Sequence, residues 1–263
     1  MEGKKHPHWN IDRTLKELQR ASNVDLKRRI RGTLFGVNQG NVILEIGPGL
    51  GKVIAELSNS PGAEHFEFIG VQPHKMDLPR PTVVEHVITE MPDKRLLRKL
   101  EGRLHTVISQ GSDVDHSDDP ILNLISVGRA IGYGGLYIVI APPDKFGDFS
   151  FAGTKKELKR IKDSHPYFKK WPGLIYPTME NLRDFFRRET DLTMEYGIYN
   201  NGNPDREYVP HRLRIILSKP RQGRVSAKSG LSTEKLHSIA VTRYVGTPKP
   251  GKLIRAVDAY YPI

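Results

Sequence analysis

One heptad in this 263-residue chain has the composition and spacing of a ligand-binding turn: Glu45-Ile46-Gly47-Pro48-Gly49-Leu50-Gly51. It follows a short β-branched run, Val42 to Ile46, and leads into a helical pattern from Lys52 to Leu57. A strand that ends in glycines and opens a helix is the context in which such a loop holds a ligand. Glycines turn the backbone sharply and let it approach a ligand without Cβ clashes. The helix amino terminus adds oriented N–H donors. The spacing is Gly-x-Gly-x-Gly, with Lys52 where a dinucleotide fingerprint carries its third glycine. That argues against a nicotinamide site, in which the third glycine packs the helix against its strand. A glycine turn in an unrelated α/β protein is the plain alternative.

The elements that position this loop follow from periodicity. Ile11 to Phe35 has helical spacing with a break near Ser22-Asn23, so two helices or one interrupted helix are predicted. From Asn41 onward strands alternate with helices. Seven strands are predicted: Val42 to Ile46, Phe66 to Val71, Thr82 to Ile88, Leu104 to Ser109, Leu136 to Ala141, Leu192 to Tyr199 and Leu213 to Leu217. The helices are Lys52 to Leu57, Asp93 to Leu100, Pro120 to Ile131 and Thr178 to Glu189. Repeated βα units with buried-looking strands imply a parallel sheet covered on both faces. The last two strands lack a helix between them, so they form an antiparallel hairpin at one edge. The expected fold is a Rossmann-like three-layer αβα sandwich. Residues 219–263, rich in Pro, Gly and Lys, read as a tail with short helices near 232–240 and 251–260 that docks partly or not at all.

The run Val42-Ile43-Leu44-Glu45-Ile46-Gly47-Pro48-Gly49-Leu50-Gly51 resembles motif I of class I S-adenosylmethionine-dependent methyltransferases. Further along, Leu104 to His116, the passage Arg129 to Ile140 with its Gly134-Gly135 pair, and Tyr176 to Phe186 are similar in order to later parts of the type 11 subgroup. The resemblance covers residues 40–218. It implies S-adenosylmethionine as cofactor and direct methyl transfer to an acceptor, a small molecule or protein side chain for preference. It places Glu45, Gly47, Pro48, Gly49, Gly51, Gln72, Glu90, Ser109 and Gln110 on the cofactor, the glycine loop at its amino-acid end. His116 is the candidate catalytic residue, and its alternatives are substrate orientation or a helix cap. The chain departs from the family at Gln72, where an acid usually accepts the ribose hydroxyls, and at Thr106, which replaces an Asp. An amide bonds a hydroxyl less strongly than a carboxylate does. After the fourth strand the chain has Ser109-Gln110-Gly111-Ser112, not the Asn-Leu-Pro-Tyr of the ribosomal-RNA adenine dimethyltransferases. The resemblance to that subgroup is therefore disfavoured.

In the resembled fold the acceptor enters over strands four and five, under residues 145–176. That segment interleaves aromatics, among them Tyr167, Trp171 and Tyr176, with lysines and arginines. Cations beside aromatics suit a nucleotide or an anionic metabolite; a small subdomain with a wet basic face is the bland reading. The domain division expected is a basic helical segment 1–40, a methyltransferase domain 41–218 and a basic extension 219–263. The net charge of +11 sits on the flanks: residues 1–40 carry nine Lys/Arg against four Asp/Glu, and residues 219–263 nine against two. Such flanks fit a polyanion such as nucleic acid, or equally a solubilising surface. A nucleic-acid methyltransferase and a non-catalytic protein on the same fold therefore stay open.

Absences narrow the classes. With no cysteine, a disulfide scaffold, a thiolate metal centre and a cysteine nucleophile are excluded. The histidines outside the loop show no metal-ligand spacing, so no metal is expected. The first residues lead into no apolar region of a secretory signal, and the longest apolar run, Leu136 to Ala141, is strand length. A soluble, intracellular, cytoplasmic protein without membrane partners is the expectation.

Overall fold

The computed structural model describes residues 14–33, 40–73, 84–89, 91, 93–110, 119–141, 179–200, 211–220 and 230–244. Helix α1 (Leu15–Ser22) starts where Thr14 Oγ1 accepts the Glu17 N–H at 3.2 Å, and it stops at Asn23, whose φ is 56°. Helix α2 (Leu26–Arg31) restarts at Asp25, which accepts the Arg28 N–H at 2.9 Å. The break in the hydrophobic spacing is thus a left-handed residue followed by a fresh cap. The remaining elements are β1 (Val42–Ile46), α3 (Lys52–Ser58), β2 (Glu67–Gln72), β3 (Val84–Ile88), α4 (Lys94–Lys99), β4 (Leu104–Gln110) and α5 (Pro120–Ala130). They continue as β5 (Ile131–Ala141), α6 (Met179–Glu189), β6 (Thr193–Asn200), β7 (His211–Ser218) and α7 (Thr233–Ile239), with a π-helical turn at Ala240–Tyr244.

The strands form one seven-stranded sheet in the order β3-β2-β1-β4-β5-β7-β6. Strand β7 runs antiparallel to both β5 and β6, and the other pairings are parallel. This is the mostly parallel sheet with an antiparallel edge hairpin that the resemblance to class I methyltransferases implies. Alternation across β1 sorts the two faces. Val42, Leu44 and Ile46 join a core under α4, α5, α6 and α7, whereas Ile43 packs under α1, α2 and α3. Helices therefore cover both faces, as central parallel strands require.

One expectation needs correction. Strand β5 begins at Ile131, not Leu136, and Ile131 belongs to the strand and not to the preceding helix. The early segment pairs Ile131 with Leu104 and shifts register before Leu136 meets Thr106. Gly135 permits the close approach: a Cβ there would lie 2.7 Å from the Leu104 carbonyl oxygen. The tail docks in part, through the helix expected near 232–240. Leu236, Ile239, Ala240 and Val241 are buried in the same core as α5 and α6. The expected helix near 251–260 lies outside the described residues.

Candidate functional site

Strand β1 sits between β2 and β4, so the carboxyl ends of these three strands come together at one edge of the sheet. There the chain leaves Ile46 and turns through the glycine loop. Gly47, Gly49 and Gly51 have φ of 63°, 60° and 65°. All three lie in the left-handed region, where an L side chain costs about 1 kcal/mol or more. The alternating spacing read from the sequence is thus a backbone requirement. Pro48 separates the first two, and the Gly51 N–H closes the turn on the Pro48 carbonyl at 2.9 Å.

Neighbouring strands tie the loop down. The Gly47 N–H donates to the Val71 carbonyl at 2.7 Å. The Gly49 N–H donates to Gln72 Oε1 at 3.2 Å, so the half-buried Gln72 side chain steadies the loop from the end of β2. Glu45 is 2% exposed and points toward α3, where its Oε2 accepts the Ile54 N–H at 3.0 Å. That bond fills a vacancy in the helix start. Gly51 is the N-cap and has no side chain to offer, so a carboxylate from β1 serves the third amide of α3 instead. A negative charge at that terminus is also favoured by the helix dipole.

Among the described residues nothing crowds the middle of the loop. A Cβ built on Gly49 would meet nothing within 4 Å. Leu50 at the tip is 41% exposed, a large apolar side chain left facing out. At the end of β4, Ser109 is buried, and Gln110 carries a buried Oε1 with no hydrogen-bond partner among the described residues. A buried amide oxygen without a partner is uncommon and suits a donor from a bound molecule. Thr106 is turned into the sheet interior, where its Oγ1 lies 2.9 Å from His105 Nδ1.

The structure therefore gathers Glu45, Gly47, Pro48, Gly49, Gly51, Gln72, Ser109 and Gln110 at one strand edge. Glu90, His116, Tyr167, Trp171 and Tyr176 lie outside the described residues. One pair at the same edge was not legible from spacing. His237 Nε2 lies 2.9 Å from Asp119 Oδ2 and 3.2 Å from Oδ1, with both residues buried. Asp119 also caps α5, accepting the Leu122 N–H at 3.0 Å. The Asp-Pro start of that helix is a readable signal. Its partner stands 118 positions further on.

No family model matches the sequence, and no curated protein does. Solved structures do resemble it. One is precorrin-6y C5,15-methyltransferase from Geobacter metallireducens, at 15% identity and TM-score 0.35, covering 74% of this chain and 85% of that one. Another is the 16S rRNA (adenine(1408)-N(1))-methyltransferase from Catenulisporales acidiphilia, at 9% identity and TM-score 0.41, covering 76% and 94%. A third is phosphoethanolamine N-methyltransferase 2 from Haemonchus contortus, at 11% identity and TM-score 0.39, covering 75% and 52%. No helix among the described residues is long and apolar enough to cross a membrane.

Proposed function

We propose that this protein is an S-adenosylmethionine-dependent methyltransferase acting on a small molecule or a protein side chain. The observation that carries the reading is the motif I loop in its working shape, three left-handed glycines with nothing among the described residues crowding the middle one. The residues fit the cofactor. Gly47, Pro48, Gly49 and Gly51 let a ligand approach the backbone, and Gln110 supplies an acceptor that lacks a partner among the described residues. In this reading Gln72, whose Oε1 accepts the Gly49 N–H, serves the ribose with its amide N–H₂ as a donor toward hydroxyls.

The bound cofactor supplies an electrophilic methyl group on a sulfonium, which needs a nucleophile held in line and little else. The chain's own work is then orientation and exclusion of water. Glu45 contributes by holding the start of α3, and through it the last glycine of the loop, in place. In this proposal its carboxylate also faces the cofactor's ammonium, Glu90 serves the adenine side, His116 is the catalytic residue, and Tyr167, Trp171 and Tyr176 serve the acceptor.

A second reading has a specific observation behind it. Glu45 Oε2 and Gln72 Oε1 both accept backbone N–H groups of the protein itself. A non-catalytic protein on the methyltransferase fold would keep these braces while losing the chemistry. Calorimetry with S-adenosylmethionine and S-adenosylhomocysteine, followed by a labelled-methyl screen of acceptor pools, separates the two. Binding with transfer supports the enzyme, binding without transfer to any pool supports the second reading, and no binding removes both the cofactor and the proposal.

A further inference from the structure

We infer that helix α4 and the groove beside it form a docking track for the phosphodiester backbone of a nucleic-acid strand. The helix reads Lys94-Arg95-Leu96-Leu97-Arg98-Lys99. Leu97 and the following Leu100 are buried in the core, with Leu96 packed against it, and this turns all four cations outward. No acid lies within the helix. The capping Asp93 is directed at the Leu96 N–H, 2.8 Å, and at Thr89 Oγ1, 2.7 Å.

A groove runs beside this helix, and a second hollow lies among the helix's own basic side chains. The groove, of about 270 Å³, has Lys94 and Arg98 on one wall and Arg129 with Thr233 and Glu234 on the other. The second, of about 360 Å³, is lined by Lys94, Arg95, Arg98 and Lys99. Both share Lys94 and Arg98, so the basic surface is continuous across the helix. An open track of this kind suits a chain of phosphates more than a single small anion, which needs an enclosed site. Glu101 and Glu234 are the acids of the first groove; Lys94 pairs with Glu234 at 2.6 Å. That leaves the groove net positive.

A solubilising surface is arranged differently in this same protein. On α6, Arg183 pairs with Glu180 at 3.1 Å, and Asp184 lies 2.9 Å from Arg187 and 4.0 Å from Arg188. On α4, by contrast, Arg98 and Lys99 take part in none of the ion pairs among the described residues. These cations lie inside the segment whose total charge is close to neutral, so the flanking tails do not account for them. The inference is independent of the methyl-transfer reading.

The test uses the full-length chain, a fluorescein-labelled single-stranded RNA, the matching DNA, and phosphatidylserine vesicles. Two variants of equal charge change are compared, Arg95→Gln/Arg98→Gln/Lys99→Gln on α4 and Arg183→Gln/Arg187→Gln/Arg188→Gln on α6. Thermal melting checks that both are folded. The α4 variant should lose about tenfold or more in affinity for the nucleic acid. Its log–log salt slope should be shallower by about 2, as expected for three lost single-strand phosphate contacts. The α6 variant should stay close to the parent. The ratio of RNA to DNA affinity tells which strand is the natural source. Equal losses in both variants, no nucleic-acid binding by the parent, or binding to vesicles alone would overturn the inference. Calorimetry of the parent with S-adenosylhomocysteine reads the methyl-transfer proposal separately, so either can fail while the other stands.

Discussion

The Glu45 carboxylate on β1 accepts the Ile54 amide of α3 at 3.0 Å, joining the strand before the glycine loop to the helix after it. The loop is thereby held at both ends by a single side chain. Removing that side chain leaves a buried N–H without its acceptor, a cost of about 1–3 kcal/mol. Glu45→Ala should therefore lower the unfolding free energy in urea by that amount, and Glu45→Gln, which keeps an acceptor oxygen, should lose less. Equal losses in the two variants would show that charge, not the acceptor, is what matters.

Gly49 tests the loop itself. Its φ of 60° disfavours any L side chain, and nothing among the described residues lies within 4 Å of the Cβ position. Gly49→Ala should cost about 1 kcal/mol of stability. Gly49→Leu should abolish S-adenosylhomocysteine binding while the fold persists. Unchanged affinity in the leucine variant, measured by calorimetry, would remove the cofactor from this loop.

Gln72 braces the same loop through its Oε1. Gln72→Ala removes the bond to the Gly49 N–H and should weaken cofactor binding by about 1 kcal/mol, with little change in melting temperature. Gln72→Glu retains an acceptor oxygen and adds a charged acceptor for hydroxyls, so it should bind at least as tightly as the parent. A glutamate variant weaker than the alanine variant would sink this account.

Asp119 has two tasks that substitution can separate. Asp119→Ser keeps a capping oxygen for α5 but removes the carboxylate facing His237. Asp119→Ala loses both, and the missing cap alone should cost about 1 kcal/mol more than the serine variant. In either variant the amides of α7 should exchange hydrogen faster, since the docked tail loses its buried polar anchor. Unaltered exchange would mean that the apolar contacts of Leu236 and Ile239 suffice.

The tail should also loosen in alkali. Tyr244 OH donates to Glu189 Oε1 at 2.9 Å, and burial, then this bond, raises the phenol above its ordinary value. The folded chain thus favours the neutral phenol. Its contribution is complete below pH 10, the ordinary value, and is lost as pH rises through the raised value. The melting-temperature gap between the parent and Tyr244→Phe should shrink above that pH. A gap that stays constant would assign the stabilisation to packing, including the edge contact of Tyr244 with Phe185.

Much of the fold was legible because local chemistry wrote it. The β-branched runs, the helix starts at Asp93 and Pro120, and the glycine spacing each act within a few residues, so one dimension suffices to read them. The sheet's edge hairpin was legible from the missing helix between β6 and β7, though not the insertion of β7 between β5 and β6. Strand β5 was read five residues short, because its opening is built from glycines that carry no strand propensity and pair only when Leu104 lies alongside. The site divides the same way. The sequence by itself determined that the backbone at Gly47, Gly49 and Gly51 was free to turn sharply, since glycine takes left-handed angles with the least strain. It could not determine what Glu45, Gln72 and His237 touch. Their partners, Ile54, Gly49 and Asp119, are respectively 9, 23 and 118 positions away. Side chains of this kind settle on whichever buried donor or acceptor the packed sheet and helices bring within reach, and only the tertiary structure decides which that is.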